Sequence, residues 1–545
     1  MISTFARVGA AALAAASIPL AAQAATPAPY NIVFILVDDL RFDAMGFKTP
    51  ELKTPNIDYL ARNGVYFPNA VVTSSLCSPS RATILTGQTT RNHRIVDNNN
   101  SSEAGLTYFP KYLQEAGYQT AFFGKWHMGS STDGPRAGFD KWVSFKGQGT
   151  YFPTDGLSPQ QVAAGQTQTL NVDGKAVPQK GYITDELTDY QLEWLDHGRD
   201  KSKPFFIYMS HKAVHSDAKP APRHAGQYKD LDIKLPASAV DTPENRAGKP
   251  MWVQNQRNSW HGVDFAYHSS RDVADYFRDY YRTLSAVDDS VGRTLDYLRK
   301  HRLEKNTLIV FMSDNGFLMG EHGLIDKRNA YEPSVKVPMV AYAPGLLPKG
   351  AVNEARVRNL DVAPTLLDVA GAKAPPQFEG RSILPVATGQ VAAKDWVEDD
   401  FVYEYYWEWT FPQTPTTFAI EHGKLKYIQY HGIWDLEELY DLSKDPEEMT
   451  NLIDDPEYLQ AKIDLRGRLF ARLANDKAEH VIPYSYRYSA GVVWRDKDGP
   501  KAAEFPQQWQ VAPDRPDRLN GAFPDSPAKA AADKAGRPYL WNPGR

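Results

Sequence analysis

One stretch of the chain constrains its fold more than any other. Residues 30–37 form a continuous apolar run, YNIVFILV, which ends abruptly at Asp38 and Asp39. A short run that is apolar on both faces is typical of a strand buried inside a parallel sheet. Ligands of such sheets bind beyond the carboxyl ends of the strands. The two acidic residues therefore stand where a binding site is expected.

Segments with helical and strand patterns alternate after this run. The alternation predicts an α/β fold, with a large mixed, mainly parallel sheet sandwiched by helices. Residues 141–180 and 216–270 are rich in Gly, Pro, Gln and Lys and show little periodicity, which predicts surface insertions between core elements. The predicted elements in chain order are a helix capped by Thr54 and ending near Gly64, a strand over 65–72, a helix near 108–116, a strand over 119–123, a helix around 184–195, a strand over 204–210, a helix over about 274–301 and a strand over 307–312.

The N-terminal segment has the features of a secretory signal peptide. Arg7 precedes a run of small apolar residues from Val8 to Ala22, and residues 22–24 (AQA) match the pattern that signal peptidase cuts. The run is too short to span a bilayer, and no other long apolar stretch indicates an integral membrane segment. Residues 1–24 are therefore predicted to be removed on export to the periplasm or the medium. The net charge of −5, without a polybasic stretch, argues against nucleic acid as a partner.

The mature chain is predicted to comprise a large domain, a smaller one and a tail. The α/β domain covers residues 25–390, and a small α+β subdomain covers 391–481. Residues 482–545 contain Pro-Asp and Ala-Lys clusters, which predict an irregular C-terminal tail. The predicted elements of the subdomain are strands at 401–406 and 424–430 and a helix near 456–473.

Cys77 is the one cysteine in the sequence. In exported proteins cysteines are usually paired or absent, so a single one needs an explanation. A buried, unreactive thiol is the simplest explanation. The neighbouring residues indicate another, because Pro79 is placed to begin a helix and Gly87 to end it. Cys77 then lies at a helix N-terminus, which favours an anion, and Arg81 follows one turn later on the same face.

Residues 77–87 (CSPSRATILTG) resemble the signature of the type I, formylglycine-dependent sulfatases of the alkaline phosphatase superfamily. The resemblance extends from Tyr30 to roughly Asn451. It implies an alkaline-phosphatase-like fold and a catalytic domain over 25–390 that hydrolyses sulfate esters. It also implies that a formylglycine-generating maturation enzyme oxidises Cys77. The hydrated aldehyde would attack sulfur through one oxygen and drive the expulsion of sulfate through the other.

Side chains at two strand ends match the metal-binding motifs of the same family. Asp38 and Asp39 form one pair, and Asp314 and Asn315 form the other. Each pair alone would equally suit a turn or a helix cap. Together with the formylglycine oxygen derived from Cys77, the resemblance implies an all-oxygen shell around one divalent ion. Such a shell favours Ca²⁺, with Mg²⁺ as the alternative.

Several basic residues match those that bind the sulfate group in this family. In the segment GKWHMG at 124–129, the resemblance implies that Lys125 neutralises a sulfate oxygen and that His127 hydrogen-bonds the formylglycine. Lys327 matches a second sulfate-binding lysine. With Arg81 and the metal ion, these lysines would stabilise the charge that shifts in the transition state.

A histidine after the strand predicted at 204–210 matches the family's proton donor. His215 is the better match, and His211 is the alternative. An imidazole is suited to protonating a departing alkoxide near neutral pH.

The substrate is predicted to be a sulfated carbohydrate, such as a sugar derived from a glycosaminoglycan. Residues 77–98 resemble glucosamine-6-sulfatases and related polysaccharide sulfatases, and export favours a polymer-derived substrate. The candidate substrate-binding residues are His93, Arg328 and His322.

Two other functions are compatible with these motifs. Phosphonate monoester hydrolases and phosphodiesterases of the same superfamily use formylglycine in some cases, but they usually carry His where this chain has Asn315. A non-catalytic carbohydrate-binding pseudoenzyme would be expected to lack a core residue, and every expected one is present.

Overall fold

The computed structural model describes residues 29–99, 105–128, 132–255, 272–397, 400–408, 410–431 and 435–475. The predicted signal peptide (1–24) and the predicted tail (482–545) lie outside the described residues, as does Gly129 of the segment at 124–129.

The strands are numbered β1 to β16 along the chain. Their bounds are β1 Asn31–Val37, β2 Val65–Tyr66, β3 Ala70–Val71, β4 Gln119–Lys125, β5 Lys141–Phe145, β6 Thr169–Val172, β7 Lys175–Pro178, β8 Phe205–Ser210, β9 Thr307–Ser313, β10 Met339–Tyr342, β11 Ala351–Val352, β12 Val357–Arg358, β13 Phe401–Tyr405, β14 Thr416–His422, β15 Leu425–His431 and β16 Glu438–Asp441.

The helices are numbered α1 to α13 in the same way. Their bounds are α1 Pro55–Asn63, α2 Cys77–Thr86, α3 Thr90–His93, α4 Pro110–Glu115, α5 Pro159–Ala163, α6 Ile183–Glu193, α7 Pro243–Arg246, α8 Met251–Asn255, α9 Val273–Lys300, α10 Glu332–Val335, α11 Val362–Val369, α12 Leu384–Ala387 and α13 Leu459–Asn475.

The centre of the fold is a ten-stranded sheet in the order β11-β2-β10-β9-β1-β8-β4-β5-β6-β7. Strands β9, β1, β8, β4 and β5 are parallel, and antiparallel pairs occur towards both edges. Every residue of β1 is buried, because alternate apolar side chains enter two separate hydrophobic clusters, one on each face. The prediction of a mixed, mainly parallel sheet covered on both faces is confirmed.

The C-terminal part forms a second, four-stranded antiparallel sheet, β13-β14-β15-β16. Helix α13 packs on this sheet through Leu465 and Leu469, which share a hydrophobic cluster with Phe418 and Tyr427. The prediction of a smaller C-terminal α+β part is confirmed, and its predicted boundary at residue 391 remains a prediction.

Two local predictions were wrong. The strand predicted over 65–72 is interrupted at Pro68, which lacks the N–H that a ladder requires, so β2 joins the main sheet while β3 pairs with β12. The segment 141–180 is more than a surface insertion. Its first part, β5, pairs in parallel with β4, and the Trp142 side chain is buried there.

The N-terminus of α1 is capped by a distant residue and not by Thr54 as predicted. The Thr54 hydroxyl donates to Asp58 and makes no cap bond. The buried Asp288 of α9 instead accepts the backbone N–H groups of Asn56 (3.0 Å) and Ile57 (2.8 Å). This carboxylate joins two helices that are far apart in sequence.

Asp288→Ala is expected to destabilise the protein by about 3 kcal/mol, because it leaves buried N–H groups of α1 without an acceptor. The measurement is the free energy of unfolding in urea. Asp289→Ala is the matched control, since the neighbouring Asp289 side chain is 36% exposed and makes ion pairs with Arg223 and His224 at the surface. The control should cost less than about 1 kcal/mol. Equal losses in both variants would contradict the capping role.

Candidate active site

The candidate residues converge at the carboxyl edge of the main sheet. Strand β1 lies between β8 and β9, with Ile32 in register with Phe206 on one side and Leu308 on the other. The three parallel strands therefore end at nearly the same level, where Asp38 follows β1 and Asp314 follows β9. Polar residues from distant parts of the sequence meet here because the sheet register brings the strand ends together.

Three carboxylates lie at the centre of the site. Asp38, Asp39 and Asp314 each contribute an oxygen, and these oxygens lie within 4.8 Å of one another. All three side chains are buried. Burial, together with the neighbouring Asp38, raises the pKa of Asp314 to about 7. Like charges this close in a poorly solvated site require a cation nearby.

Asn315 supplies a further oxygen. Its Nδ2 donates to Asp39 Oδ1 (2.7 Å) and to the Gly316 carbonyl (2.8 Å), which fixes the orientation of the amide. Its Oδ1 is buried and accepts no hydrogen bond from the described residues. A buried acceptor without a partner is unfavourable unless something else binds it. Carboxylate and amide oxygens are the ligands that hard divalent cations prefer, so these residues fit such an ion.

Two basic side chains pair with these carboxylates. Arg81 Nη2 lies 2.8 Å from Asp314 Oδ2. Lys327 Nζ donates to both oxygens of Asp39, at 2.6 and 2.5 Å. Both basic residues are nearly fully buried, so their attraction for a bound anion is weakly screened by water.

Lys125, at the end of β4, reaches the same site and has a partner that the sequence analysis missed. Its Nζ donates to Asp38 and to Gln148 Oε1, the latter at 2.5 Å. Gln148 lies between Gly147 and Gly149, which have φ values of +54° and +62°. Glycine adopts this left-handed region readily, and the turn directs the carboxamide to Lys125. The Gly-Gln-Gly sequence at 147–149 is the local feature from which this turn could have been predicted.

Lys212 is a second residue that the sequence analysis did not single out. Its side chain is buried, and its Nζ lies 4.6 Å from the centre of the Tyr151 ring. Burial and the nearby Lys125 lower the pKa of Lys212 to about 8. Lys125 and Tyr151, whose hydroxyl donates to the His215 carbonyl, are both distant from Lys212 in sequence, and their nearness identifies this lysine as part of the surroundings of the site.

Cys77 is the first residue of α2, and Gly87 ends this helix at φ +64°. The helix begins two residues before Pro79, so the prediction that Pro79 begins it was wrong by that margin. Pro79 is still in the first turn, where its missing N–H breaks no helical hydrogen bond. Cys77 lies at the helix N-terminus as expected.

The Cys77 side chain is fully buried, and its thiol donates to Asp38 Oδ1 at 3.5 Å. Burial raises the pKa of the thiol to about 12. A cysteine nucleophile needs a lowered pKa, because the thiolate is the reactive form. These surroundings therefore do not suit an unmodified cysteine acting as the nucleophile.

His215 is the histidine that lies beside Cys77. Ligand atoms of Asp38, Cys77 and His215 lie within 4.8 Å of one another. His215 Nδ1 faces the carbonyl of Ser216, and a hydrogen bond there places the ring proton on Nδ1. The other nitrogen, Nε2, lies 3.8 Å from an oxygen of Asp39.

The charge of His215 depends on the lysines around it. Burial, Lys125 and Lys327 lower its pKa well below the usual value. The ring is therefore neutral in the anion-free protein. A bound anion would offset the positive charge of the lysines and favour protonation of the ring.

Two other histidines differ in their surroundings. His127 is buried beside α2, where Ser78 donates to its carbonyl and Ser78 Oγ lies 3.5 Å from its Nδ1. Burial and Lys125 lower the pKa of His127 well below its usual value. His211 is fully buried, and neither ring nitrogen has a partner in the part of the chain that the structure describes. Unlike His215, His211 does not join the group around Cys77.

Two predicted substrate-binding residues are not brought to this cluster. His93 is buried, its Nε2 lies 3.1 Å from the Thr83 hydroxyl, and its Nδ1 accepts the Ile95 N–H, so both ring nitrogens are occupied within the protein. His322 lies against the ring of Tyr331, with ring centroids 4.2 Å apart. These contacts lie within the protein, and the substrate-binding role of both histidines remains a prediction.

Arg328, the third predicted substrate-binding residue, does lie at the site. It follows Lys327 directly, and its backbone N–H donates to the carbonyl of Ser75, two residues before Cys77. Its guanidinium is buried and bound by Asp326.

The fold and the site together define a hydrolase of the alkaline-phosphatase-like type, and comparisons with known proteins identify the family. The family model "Sulfatase" matches residues 30–372. A second model, "N-sulphoglucosamine sulphohydrolase, C-terminal", matches residues 320–475. The chain belongs to the sulfatase family and is a sulfatase, an enzyme that hydrolyses sulfate esters.

Individual relatives agree with this assignment. An N-acetylglucosamine-6-O-sulfatase of Bacteroides thetaiotaomicron is 33% identical over 492 residues, which cover 80% of this chain and 84% of the relative. A solved structure of a protein in complex with its substrate, D-glucosamine-2-N,6-O-disulfate, is 30% identical, with a TM-score of 0.71, and the match covers 83% of this chain and 99% of that one.

The fold is also shared beyond sulfatases. A phosphonate monoester hydrolase of Silicibacter pomeroyi has a TM-score of 0.65 at 21% identity, covering 83% of this chain and 96% of that one. This likeness shows the fold alone. Sulfatases generally use formylglycine and a divalent metal ion, and the residues described above fit both groups. Among the described residues, no helix is long and apolar enough to cross a membrane.

Proposed function

We propose that the protein removes 6-sulfate groups from glucosamine-type sugars such as those of glycosaminoglycans. The observation that carries the chemistry is the position of Cys77, at a helix N-terminus and 3.5 Å from Asp38, among buried basic residues. The similarity to an N-acetylglucosamine-6-O-sulfatase and to a protein bound to a 6-O-sulfated glucosamine supports the choice of sugar and sulfate position.

Formylglycine at position 77 would supply a hydrated aldehyde as the nucleophile, and the divalent ion would supply positive charge. The oxygens of Asp38, Asp39, Asp314 and Asn315 would hold the ion. We assign Ca²⁺ to this site because four side chains offer oxygen ligands, whereas Mg²⁺ usually binds one or two carboxylates and keeps several waters. To test this choice, the protein is stripped of metal with a chelator and its unfolding temperature is measured after adding Ca²⁺ or Mg²⁺. Ca²⁺ should raise the unfolding temperature of the metal-free protein more than Mg²⁺ does.

The basic residues orient the sulfate group. In the absence of substrate, Lys125 and Lys327 neutralise the metal-binding carboxylates. With a divalent ion held by these carboxylates, the ammonium groups of Lys125 and Lys327 would be available to bind the sulfate oxygens. Arg81 is held by Asp314 and by the Ser210 hydroxyl (2.6 Å), so its charge stays fixed next to position 77.

Two histidines complete the proposed chemistry. His215 donates a proton to the departing sugar oxygen, since it lies beside Cys77 and the bound sulfate favours its protonated form. His127 is held by α2 through Ser78 and hydrogen-bonds the modified residue 77. The same proposal requires a formylglycine-generating maturation enzyme as a partner, and export through the signal peptide predicted at residues 1–24.

Lys327→Ala is expected to lower kcat/KM for a sulfated sugar by about 10²-fold, because it removes one charge from the sulfate oxygens. Steady-state kinetics measure the effect. Lys336→Ala is the control, since Lys336 pairs with Glu332 (2.6 Å) and its side chain is 30% exposed. Kinetics of Lys327→Ala equal to those of the control would move the sulfate-binding role to another residue.

A substrate panel tests the proposed sugar. The protein, co-produced with a formylglycine-generating enzyme, is incubated with N-acetylglucosamine 6-sulfate, galactose 6-sulfate, glucosamine 3-sulfate, N-sulfoglucosamine and 4-nitrophenyl sulfate. N-acetylglucosamine 6-sulfate should give the highest kcat/KM. Preference for the galactose or the N-sulfated sugar would show that the sugar or the sulfate position is assigned wrongly, while leaving the sulfatase activity in place.

A further inference from the structure

Glu408 is a buried acid that the chemistry above does not use. It follows strand β13 of the C-terminal sheet, and only 1% of its surface is exposed. An ionised carboxylate in such a place requires partners of opposite charge. Its partner is Arg328, whose Nε donates to Glu408 Oε1 at 2.5 Å. This ion pair joins the C-terminal sheet to the residue that follows Lys327.

The Arg328 guanidinium is held on three sides. Its Nε is bound by Glu408, its Nη1 donates to Asp326 Oδ1 (3.0 Å), and its Cζ lies 4.0 Å from the centre of the Phe411 ring. Its Nη2 donates to no atom of the residues that the structure describes. The backbone of Arg328 has φ +67°, which a non-glycine residue adopts only when its surroundings hold it there.

Glu408 is itself held in place. The Tyr405 hydroxyl donates to its Oε1 (3.4 Å), and the backbone N–H of Asn98 donates to its Oε2 (3.4 Å). Asn98 Oδ1 in turn accepts the backbone N–H of Ser78, the residue after Cys77. The carboxylate is thus fixed by Tyr405 of its own sheet and by Asn98, which also binds the residue after Cys77.

We infer that Glu408 is a positioning residue that orients Arg328, so that the free Nη2 of this arginine binds the sugar part of the substrate. The inference rests on the proposed function and on the substrate-binding role that the sequence predicts for Arg328. Arginine suits this role because its guanidinium group is planar and rigid. Once two of its nitrogens are bound, the direction of the third is fixed. The C-terminal sheet would then contribute to substrate selection without touching the sulfate group.

This arrangement predicts an effect that depends on the substrate. Glu408→Gln keeps the shape of the side chain but removes the charge that holds Arg328. The kcat/KM for N-acetylglucosamine 6-sulfate should fall about 30-fold, mainly through KM, because a sugar contact is lost. The kcat/KM for 4-nitrophenyl sulfate should change by less than about 3-fold, because this ester offers no sugar to Arg328.

Two comparisons separate positioning from a general structural role. Glu404→Gln is the matched control, because Glu404 is buried in β13 and pairs with Arg91 (3.1 Å) instead of Arg328. It should leave the ratio of the two kcat/KM values unchanged. In an Arg328→Ala background, Glu408→Gln should cause no further loss on the sugar substrate, since the two residues act through one contact.

Equal losses on both substrates, or a full additional loss in the Arg328→Ala background, would overturn the inference. If Glu408→Gln unfolds, Arg328→Lys provides the second test: it keeps the charge but not the fork, and an unchanged substrate ratio would overturn the inference as well. The wild-type protein is measured first. If it releases sulfate from the aryl ester but from no sugar, the proposed substrate fails, and the role of Glu408 fails with it.

Discussion

Replacing Cys77 with alanine is expected to abolish sulfate release, with kcat/KM falling by at least ~10⁴-fold. The side chain is the precursor of the nucleophile, and no other cysteine exists in the sequence to replace it. The fold should persist, because the buried thiol makes a single hydrogen bond, to Asp38. The measurements are sulfate release by ion chromatography and the unfolding temperature, which should stay within a few degrees of wild type.

The control for this variant is the wild-type protein without its modification. Wild-type protein made without a formylglycine-generating enzyme retains Cys77 as a thiol, whose pKa is raised by burial to about 12. It should therefore be as inactive as Cys77→Ala. Turnover by the unmodified protein would show that the thiol itself reacts, and turnover by Cys77→Ala would show that the nucleophile lies elsewhere.

Asp314→Asn is expected to lower kcat/KM by about 10³-fold, because it removes one negative charge from the proposed metal ligands. The variant also weakens the ion pair with Arg81, which lies 2.8 Å from the carboxylate. A readout independent of turnover is the unfolding temperature with and without added Ca²⁺. The wild-type temperature should rise on addition of the ion, and that of the variant should not.

Asp288→Asn is the matched control for this substitution. Asp288 is equally buried but caps α1, away from the carboxylate cluster. Its loss should lower the unfolding temperature while leaving both the response to Ca²⁺ and the kinetics unchanged. A Ca²⁺ response that survives in Asp314→Asn would contradict the assignment of Asp314 as a ligand.

Much of the fold and the centre of the site were predictable because their signals are local. The apolar run before Asp38 identified the central strand, and the alternation of elements identified the sheet type. The sequence at 77–87 located the helix and its N-terminal cysteine to within two residues. Neighbouring residues determine where such a strand or helix forms, so a short stretch of sequence is enough to predict it.

The parts that escaped prediction depend on contacts between distant residues. Asp288 caps a helix 232 positions away, while the nearby Thr54 bonds elsewhere. Residues 141–145 were predicted as part of a surface insertion, and their place in the sheet is set by pairing with β4. Glu408 and Arg328 are 80 positions apart, and only the packing of the C-terminal sheet brings them together.

The most direct test of the account is the product released by matured protein from N-acetylglucosamine 6-sulfate and, in parallel, from a phosphonate monoester. Ion chromatography separates sulfate from phosphonate products, and Cys77→Ala serves as the blank. We expect sulfate from the sugar at a rate far above hydrolysis of the phosphonate ester. Preferential hydrolysis of the phosphonate ester would contradict the account and would place the protein's activity with the phosphonate monoester hydrolases that share its fold.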